Sequence, residues 1–124
     1  MPSVLTVDDS LMMRKFISIA LTSQGFDVSE AADGGEALEI VRSSPPDCMV
    51  LDLLMPEVDG IEVLETLKRD NISFPIIVMT ADIQESTEKK CVDLGAFRVL
   101  NKPPKGDILC ATIREALASV KTGS

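Results

Sequence analysis

The chain predicts a doubly wound α/β domain whose five-stranded parallel sheet runs in the order 2-1-3-4-5. Three observations carry this. Short apolar runs alternate five times with stretches of helical periodicity. Two of the runs, 48–51 and 76–79, are continuously apolar, as strands must be when helices cover both faces. The length, 124 residues, suits one domain around one core.

The elements follow in order. The first strand, 3–7, is nearly all apolar. The first helix, 10–24, carries Met13, Phe16, Ile17, Ala20 and Leu21 at i, i+3, i+4, i+7 and i+8, one face of a helix. Ser10 suits its N-cap and Gly25 its stop. The second strand, 26–30, mixes Asp27, Ser29 and Glu30 with apolar residues and reads as an edge. Asp33 caps a second helix over 34–42, and Asp59 a third over 60–69. The fourth helix, 83–94, is wholly polar from 84 to 90, so its packing should be the weakest of the five. The fifth strand, 97–100, contains Arg98 and reads as the other edge. The fifth helix, 107–120, has a stripe of Ile108, Leu109, Thr112, Ile113, Ala116, Leu117 and Val120, and a short tail, 121–124, follows. With strands 1, 3 and 4 central and 2 and 5 outside, the doubly wound order results.

Composition narrows the function. The formal charge is −8 and the pI about 4.4. Such a surface repels nucleic acid and anionic lipid, so neither is an expected partner. Aromatic residues are 3 % of the chain, with no Trp or Tyr, which removes stacking platforms for bases. Cys48, Cys91 and Cys110 form no CxxC pair and there is no His, which argues strongly against a zinc site. Scattered, odd-numbered cysteines read as reduced, buried thiols. There is no signal-peptide pattern and no long apolar run; a soluble, cytoplasmic protein is expected.

The strand ends carry the chemistry. In such a sheet the site lies beyond the carboxyl ends, where strands 1 and 3 diverge. Strand 1 leads into Asp8 and Asp9, strand 3 into Asp52, strand 4 into Thr80, and strand 5 into Asn101 and Lys102. Alone, each is unremarkable: an acid after a strand is mostly a cap, a Thr mostly β-propensity, a Lys-Pro pair mostly a turn. Together they place three carboxylates opposite a hydroxyl and an ammonium. Three crowded carboxylates need a counter-charge, and Mg²⁺ suits oxygen ligands of this kind. A carboxylate can also accept a phosphoryl group as an acyl phosphate, with Lys102 clamping the charge that develops.

Here the chain resembles the receiver domains of response regulators, over essentially its whole length. Val7-Asp8-Asp9-Ser10 is similar to that family's acidic pocket. Asp52-Leu-Leu-Met-Pro-Glu-Val-Asp-Gly60 resembles its phosphoacceptor loop and is the most specific signal. Met79-Thr80-Ala81 resembles its hydroxyl switch, and Lys102-Pro103 its lysine with a cis proline. The resemblance implies a flavodoxin/CheY-like (βα)5 fold with Asp52 as phosphoacceptor. Asp9 would bind Mg²⁺ directly, Asp8 mainly through water, and Asp52 and the Leu54 main-chain carbonyl would complete the ligands. Thr80 and Lys102 would hold the phosphoryl oxygens.

It further implies a phosphorylation-dependent switch of a two-component system, read as the single-domain, chemotaxis type with no output domain within residues 1–124. The phosphodonor would be a histidine kinase and the target a flagellar motor or other effector, with a phosphatase as a possible further partner. The switch would be a monomer. It would be no enzyme beyond assisting its own phosphoryl transfer and dephosphorylation. Signal would leave through helix 4, strand 5 and helix 5. Two departures stand out. Val99 occupies the strand-5 position where relatives often carry an aromatic rotor, and Leu54 replaces a frequently polar residue.

Other readings fit less well. A haloacid-dehalogenase-type phosphatase wants a second Asp two residues after the first, where Leu54 stands. A flavodoxin-like FMN protein wants a loop rich in Ser, Thr and Gly after strand 1, where Asp8 and Asp9 would repel phosphate. A pseudo-receiver, used only for protein contacts, normally lacks one of the acids, the Thr or the Lys, all present here. A phosphate sink is a further alternative.

Overall fold

The structure, a computed structural model, describes residues 1–55, 59–81 and 83–122. Residues 56–58 of the expected acceptor loop, Asp82, and 123–124 of the expected tail lie outside the described residues. Strands and helices alternate strictly: β1 (Ser3–Val7), α1 (Leu11–Ser23), β2 (Asp27–Ala31), α2 (Gly34–Ser43), β3 (Cys48–Asp52), α3 (Gly60–Arg69), β4 (Ile76–Thr80), α4 (Glu85–Asp93), β5 (Arg98–Asn101) and α5 (Gly106–Thr122). The sheet is parallel throughout, in the order β2-β1-β3-β4-β5.

Strand alternation divides the core in two. Val4, Cys48, Val50, Ile77 and Met79 face Ile17 and Leu21 of α1 and Leu109, Ile113 and Ala116 of α5. Leu5, Val7, Met49, Leu51 and Val78 face Ala37 and Val41 of α2, Val63, Leu64 and Leu67 of α3, and Cys91 of α4. Every residue of β3 and β4 is buried, whereas β2 and β5 alternate with exposed positions. Continuous apolar runs therefore marked the centre and mixed runs the edges, as expected.

The helix starts behave as the side chains dictate. Ser10 accepts from the Met13 N–H at 3.2 Å, Asp33 from Glu36 at 2.8 Å and Asp59 from Glu62 at 3.0 Å, each satisfying an orphan donor of a first turn. Gly25, at φ +91°, follows α1, a backbone conformation that glycine adopts without penalty. The Gln84 side chain makes no cap bond to α4, and Cys91 is the buried residue of that helix.

Several expectations need correction. β2 starts at Asp27, because the Phe26 N–H closes the end of α1 on the Leu21 carbonyl at 3.1 Å. β3 and β4 each run one residue further, so Asp52 and Thr80 are ladder residues and not loop residues. Phe16, Ile108 and Val120 were expected on buried stripes but are 46 %, 48 % and 43 % exposed. The fully buried line of each helix is narrow, Ile17 and Leu21 on α1 and Leu109, Cys110, Ile113 and Ala116 on α5, with Met13 and Leu117 packed at its margin. All three cysteines are free and buried; burial pushes the Cys48 thiol up to about 12. Among the described residues no helix is long and apolar enough to cross a membrane.

Candidate functional site

Parallel strands bring all their carboxyl ends to one edge of the sheet. Val7 is paired with Leu51 across β1 and β3, so Asp8 and Asp52, the next residues, emerge side by side. Asp52 pairs with Met79, and Thr80 with Asn101. Lys102 follows at once, its N–H donating to the Thr80 carbonyl at 2.9 Å. Residues separated by 94 positions of chain, from Asp8 to Lys102, thus share one crevice.

Asp8 is fully buried, Asp52 is 2 % exposed, and Asp9 is exposed. Carboxylate oxygens of all three lie within 4.8 Å of one another. The Lys102 ammonium bridges the two buried acids, 2.9 Å from Asp8 Oδ2 and 3.0 Å from Asp52 Oδ2. Burial pushes the Asp52 carboxyl above its ordinary pKa; the Asp8 charge adds to this, and the opposing pull of Lys102 does not overcome them. For Lys102 burial disfavours the charge, but the pull of the Asp8 and Asp52 carboxylates outweighs it, so its pKa is raised. Lys102 is therefore a cation facing two buried acids.

The donor set fits a hard divalent cation. Three carboxylates against one ammonium leave two formal negative charges in a largely buried pocket. Asp8 Oδ2 is paired with Lys102 by charge at 2.9 Å. Yet among the described residues no directed hydrogen bond reaches this buried oxygen. An under-coordinated carboxylate oxygen of this kind is what a Mg²⁺ ion or its bound water satisfies.

The remaining expected residues are placed as follows. Thr80 ends β4 and is 3 % exposed. The Leu54 N–H points at Asp52 Oδ1 from 3.4 Å, and its side chain is 70 % exposed at the mouth of the crevice. Val99 is buried opposite Val78, on the face of the sheet that Thr80 shares by alternation. The Lys102–Pro103 bond is cis, as the resemblance implied. Two further residues bear on the site through contacts that the sequence did not assign. A Cβ on Gly60 would lie 2.7 Å from the Asp52 main-chain oxygen. Arg14 donates to the Asp8 main-chain oxygen at 2.7 Å. In the sequence Arg14 closes the opening Asp8-Asp9-Ser-Leu-Met-Met-Arg14 and flanks the apolar stripe of α1.

A family model described as the response regulator receiver domain matches residues 4–114. The chain belongs to that family. Among curated relatives, this receiver is 39 % identical over 118 residues to "Response regulator MprA" of Mycobacterium leprae, covering 95 % of this chain and 52 % of that protein. It is 36 % identical over 117 residues to "Transcriptional regulatory protein AfsQ1" of Streptomyces coelicolor, covering 94 % and 52 %. The receiver thus spans about half the length of the curated relatives it matches. Among solved structures it is similar to the Vibrio cholerae chemotaxis protein CheY4, with a TM-score of 0.88 at 30 % identity, covering 94 % of this chain and 98 % of that one.

Proposed function

We propose that this receiver is a phosphorylation-dependent switch in which Asp52 accepts a phosphoryl group from a phosphohistidine of a partner kinase. The observation that carries the reading is the buried Asp52 at the end of β3, 3.0 Å from the Lys102 ammonium and within 4.8 Å of two further acids. An Asp52 carboxylate oxygen attacks phosphorus. The new P–O bond forms as the P–N bond to the partner's imidazole breaks, and the imidazole leaves with the electron pair and takes up a proton. Lys102 neutralises charge on the phosphoryl oxygens, and the Thr80 hydroxyl donates to one of them. Asp8, Asp9, Asp52 and the Leu54 carbonyl would hold Mg²⁺, which supplies further compensation for the phosphoryl charge. Burial raises the Asp52 carboxyl above its ordinary pKa and the nearby Lys102 ammonium works against that rise.

The test is incubation with Mg²⁺ and radiolabelled acetyl phosphate or a phosphorylated kinase. One acid-stable, alkali-labile phosphoryl group per chain should appear on the wild type and be lost in Asp52→Asn. Undiminished label on the variant would overturn the assignment.

For the output, we infer a protein effector read through α4, β5 and α5 in the cytoplasm. The similarity to AfsQ1 supports a transcriptional effector domain over the flagellar motor. A chemotaxis-type output is the second reading, favoured by the likeness to CheY4 over nearly all of that chain.

A further inference from the structure

Arg14 sits in the second turn of α1 with only 14 % of its side chain exposed. Its guanidinium does not turn to the acids of the pocket. Nη1 donates to the main-chain oxygen of Asp8 at 2.7 Å, and Nε donates to Glu30 Oε1 on β2 at 3.3 Å. Glu30 is itself held by the Lys15 ammonium at 3.1 Å and the Ser18 hydroxyl at 2.9 Å. Burial works against the Glu30 charge, yet the bonds from Lys15, Ser18 and Arg14 lower its pKa. The brace is therefore ionised at neutral pH.

Asp8 is anchored at its N–H, Oδ1 and carbonyl by hydrogen bonds, and at Oδ2 by charge alone. Its N–H donates to the Ala31 carbonyl at 3.1 Å. Its Oδ1 accepts from the Ser10 N–H at 2.9 Å, and its Oδ2 lies 2.9 Å from Lys102. The carbonyl alone sits beyond the strand ladder and before the helix, and Arg14 takes it. Because the peptide unit is planar, the direction of that carbonyl sets the direction in which the chain leaves for Asp9.

We propose that Arg14 is a positioning residue of the site: it grips the Asp8 carbonyl, braces on Glu30, and so sets the Asp8–Asp9 peptide that brings both acids toward Asp52. This rests on the reading that the pocket takes a divalent cation. A planar fork suits two acceptors in different directions, which a lysine ammonium serves poorly. The idea also has a distinctive sign. On charge alone, removing a cation from beside an acid cluster strengthens the binding of another cation. Positioning requires the reverse.

The test is Mn²⁺ affinity of the purified, metal-free chain, read from the paramagnetic resonance of free Mn²⁺ well below the thermal unfolding midpoint of each variant. Arg14→Ala should weaken Mn²⁺ binding about 10-fold, the scale seen when groups supporting a metal ligand are removed. Arg14→Lys should recover part of that loss. Lys15→Ala removes a screened surface charge from the same Glu30 and should stay within about twofold of wild type. Amide exchange of Asp9 and Ser10 in metal-free Arg14→Ala should rise. If that variant does not fold, Arg14→Met, which keeps the packed stem, replaces it with the same expectation. Unchanged or tighter Mn²⁺ binding by the Ala or Met variant overturns the proposal, as does an equal loss in Lys15→Ala. A wild type that binds no Mn²⁺ overturns the metal reading itself and this inference with it.

Discussion

Gly60 leaves no room for a methyl group. A Cβ there would stand 2.7 Å from the Asp52 main-chain oxygen and 2.7 Å from the Leu53 Cα, and backbone cannot yield as a flexible side chain can. The Gly60 N–H also donates to the Leu53 carbonyl at 2.9 Å. The start of α3 is thereby pressed against the residue expected to carry the phosphoryl group. Gly60→Ala should cost about 1–3 kcal/mol, the usual range for overpacking, and should slow labelling of Asp52 by acetyl phosphate. Urea unfolding and the labelling rate check this together; a variant as stable and as fast as wild type would refute the contact.

At the scale of elements the weak member is α4. Side chains cap α1, α2 and α3, but Gln84 makes no such bond to α4. At its far end Lys68 of α3 donates to the Asp93 carbonyl at 2.8 Å, so the tether is on the C-terminal side. The start of α4, without a side-chain cap bond, follows closely on Thr80. Movement of Thr80 toward a phosphoryl oxygen would thus pull on the least anchored helix, a local charge event coupled to a weakly held element. Val99 offers less volume than an aromatic ring, so the inward shift would come from backbone movement or from a neighbouring Met or Ile. Amide exchange with beryllofluoride and Mg²⁺ should change at Thr80, Ile83, α4 and β5, with α1 to α3 little affected. Changes centred on α2, with α4 and β5 silent, would show a different route.

At the scale of the whole molecule, the acid cluster exists only in the folded chain, since Asp8 and Asp52 come from different strands. A cation that binds the folded state alone stabilises it by mass action, about 2.7 kcal/mol at one hundred times the dissociation constant. Mg²⁺ should therefore raise the thermal unfolding midpoint of the wild type. Asp9→Ala should lose most of that rise and Asp8→Ala less, if Asp9 is the direct ligand. Calorimetry with and without Mg²⁺ checks this, and an equal rise in wild type and Asp9→Ala would contradict the assigned roles. The −8 charge acts on the same scale. It should favour basic partner surfaces.

How much was legible in the sequence depended on the range of the physics. Apolar runs for β3 and β4, polar edges for β2 and β5, and the caps Ser10, Asp33 and Asp59 are local signals; the caps appeared where the sequence placed them and the strands within one residue. The acids, Thr80 and Lys102 were legible because a parallel sheet brings every strand's carboxyl end to one edge, so topology alone gathers them. Other features needed the fold itself. Helix packing left Phe16, Ile108 and Val120 outside the core, because a 3.6-residue period does not say how wide the buried line is. Burial separated Asp8 from Asp9, although the two are adjacent and alike in sequence. The grip of Arg14 on the Asp8 carbonyl and the pressure of Gly60 on the Asp52 backbone are contacts between elements. Their partners are main-chain atoms, which carry no residue identity, so only the tertiary structure could decide them.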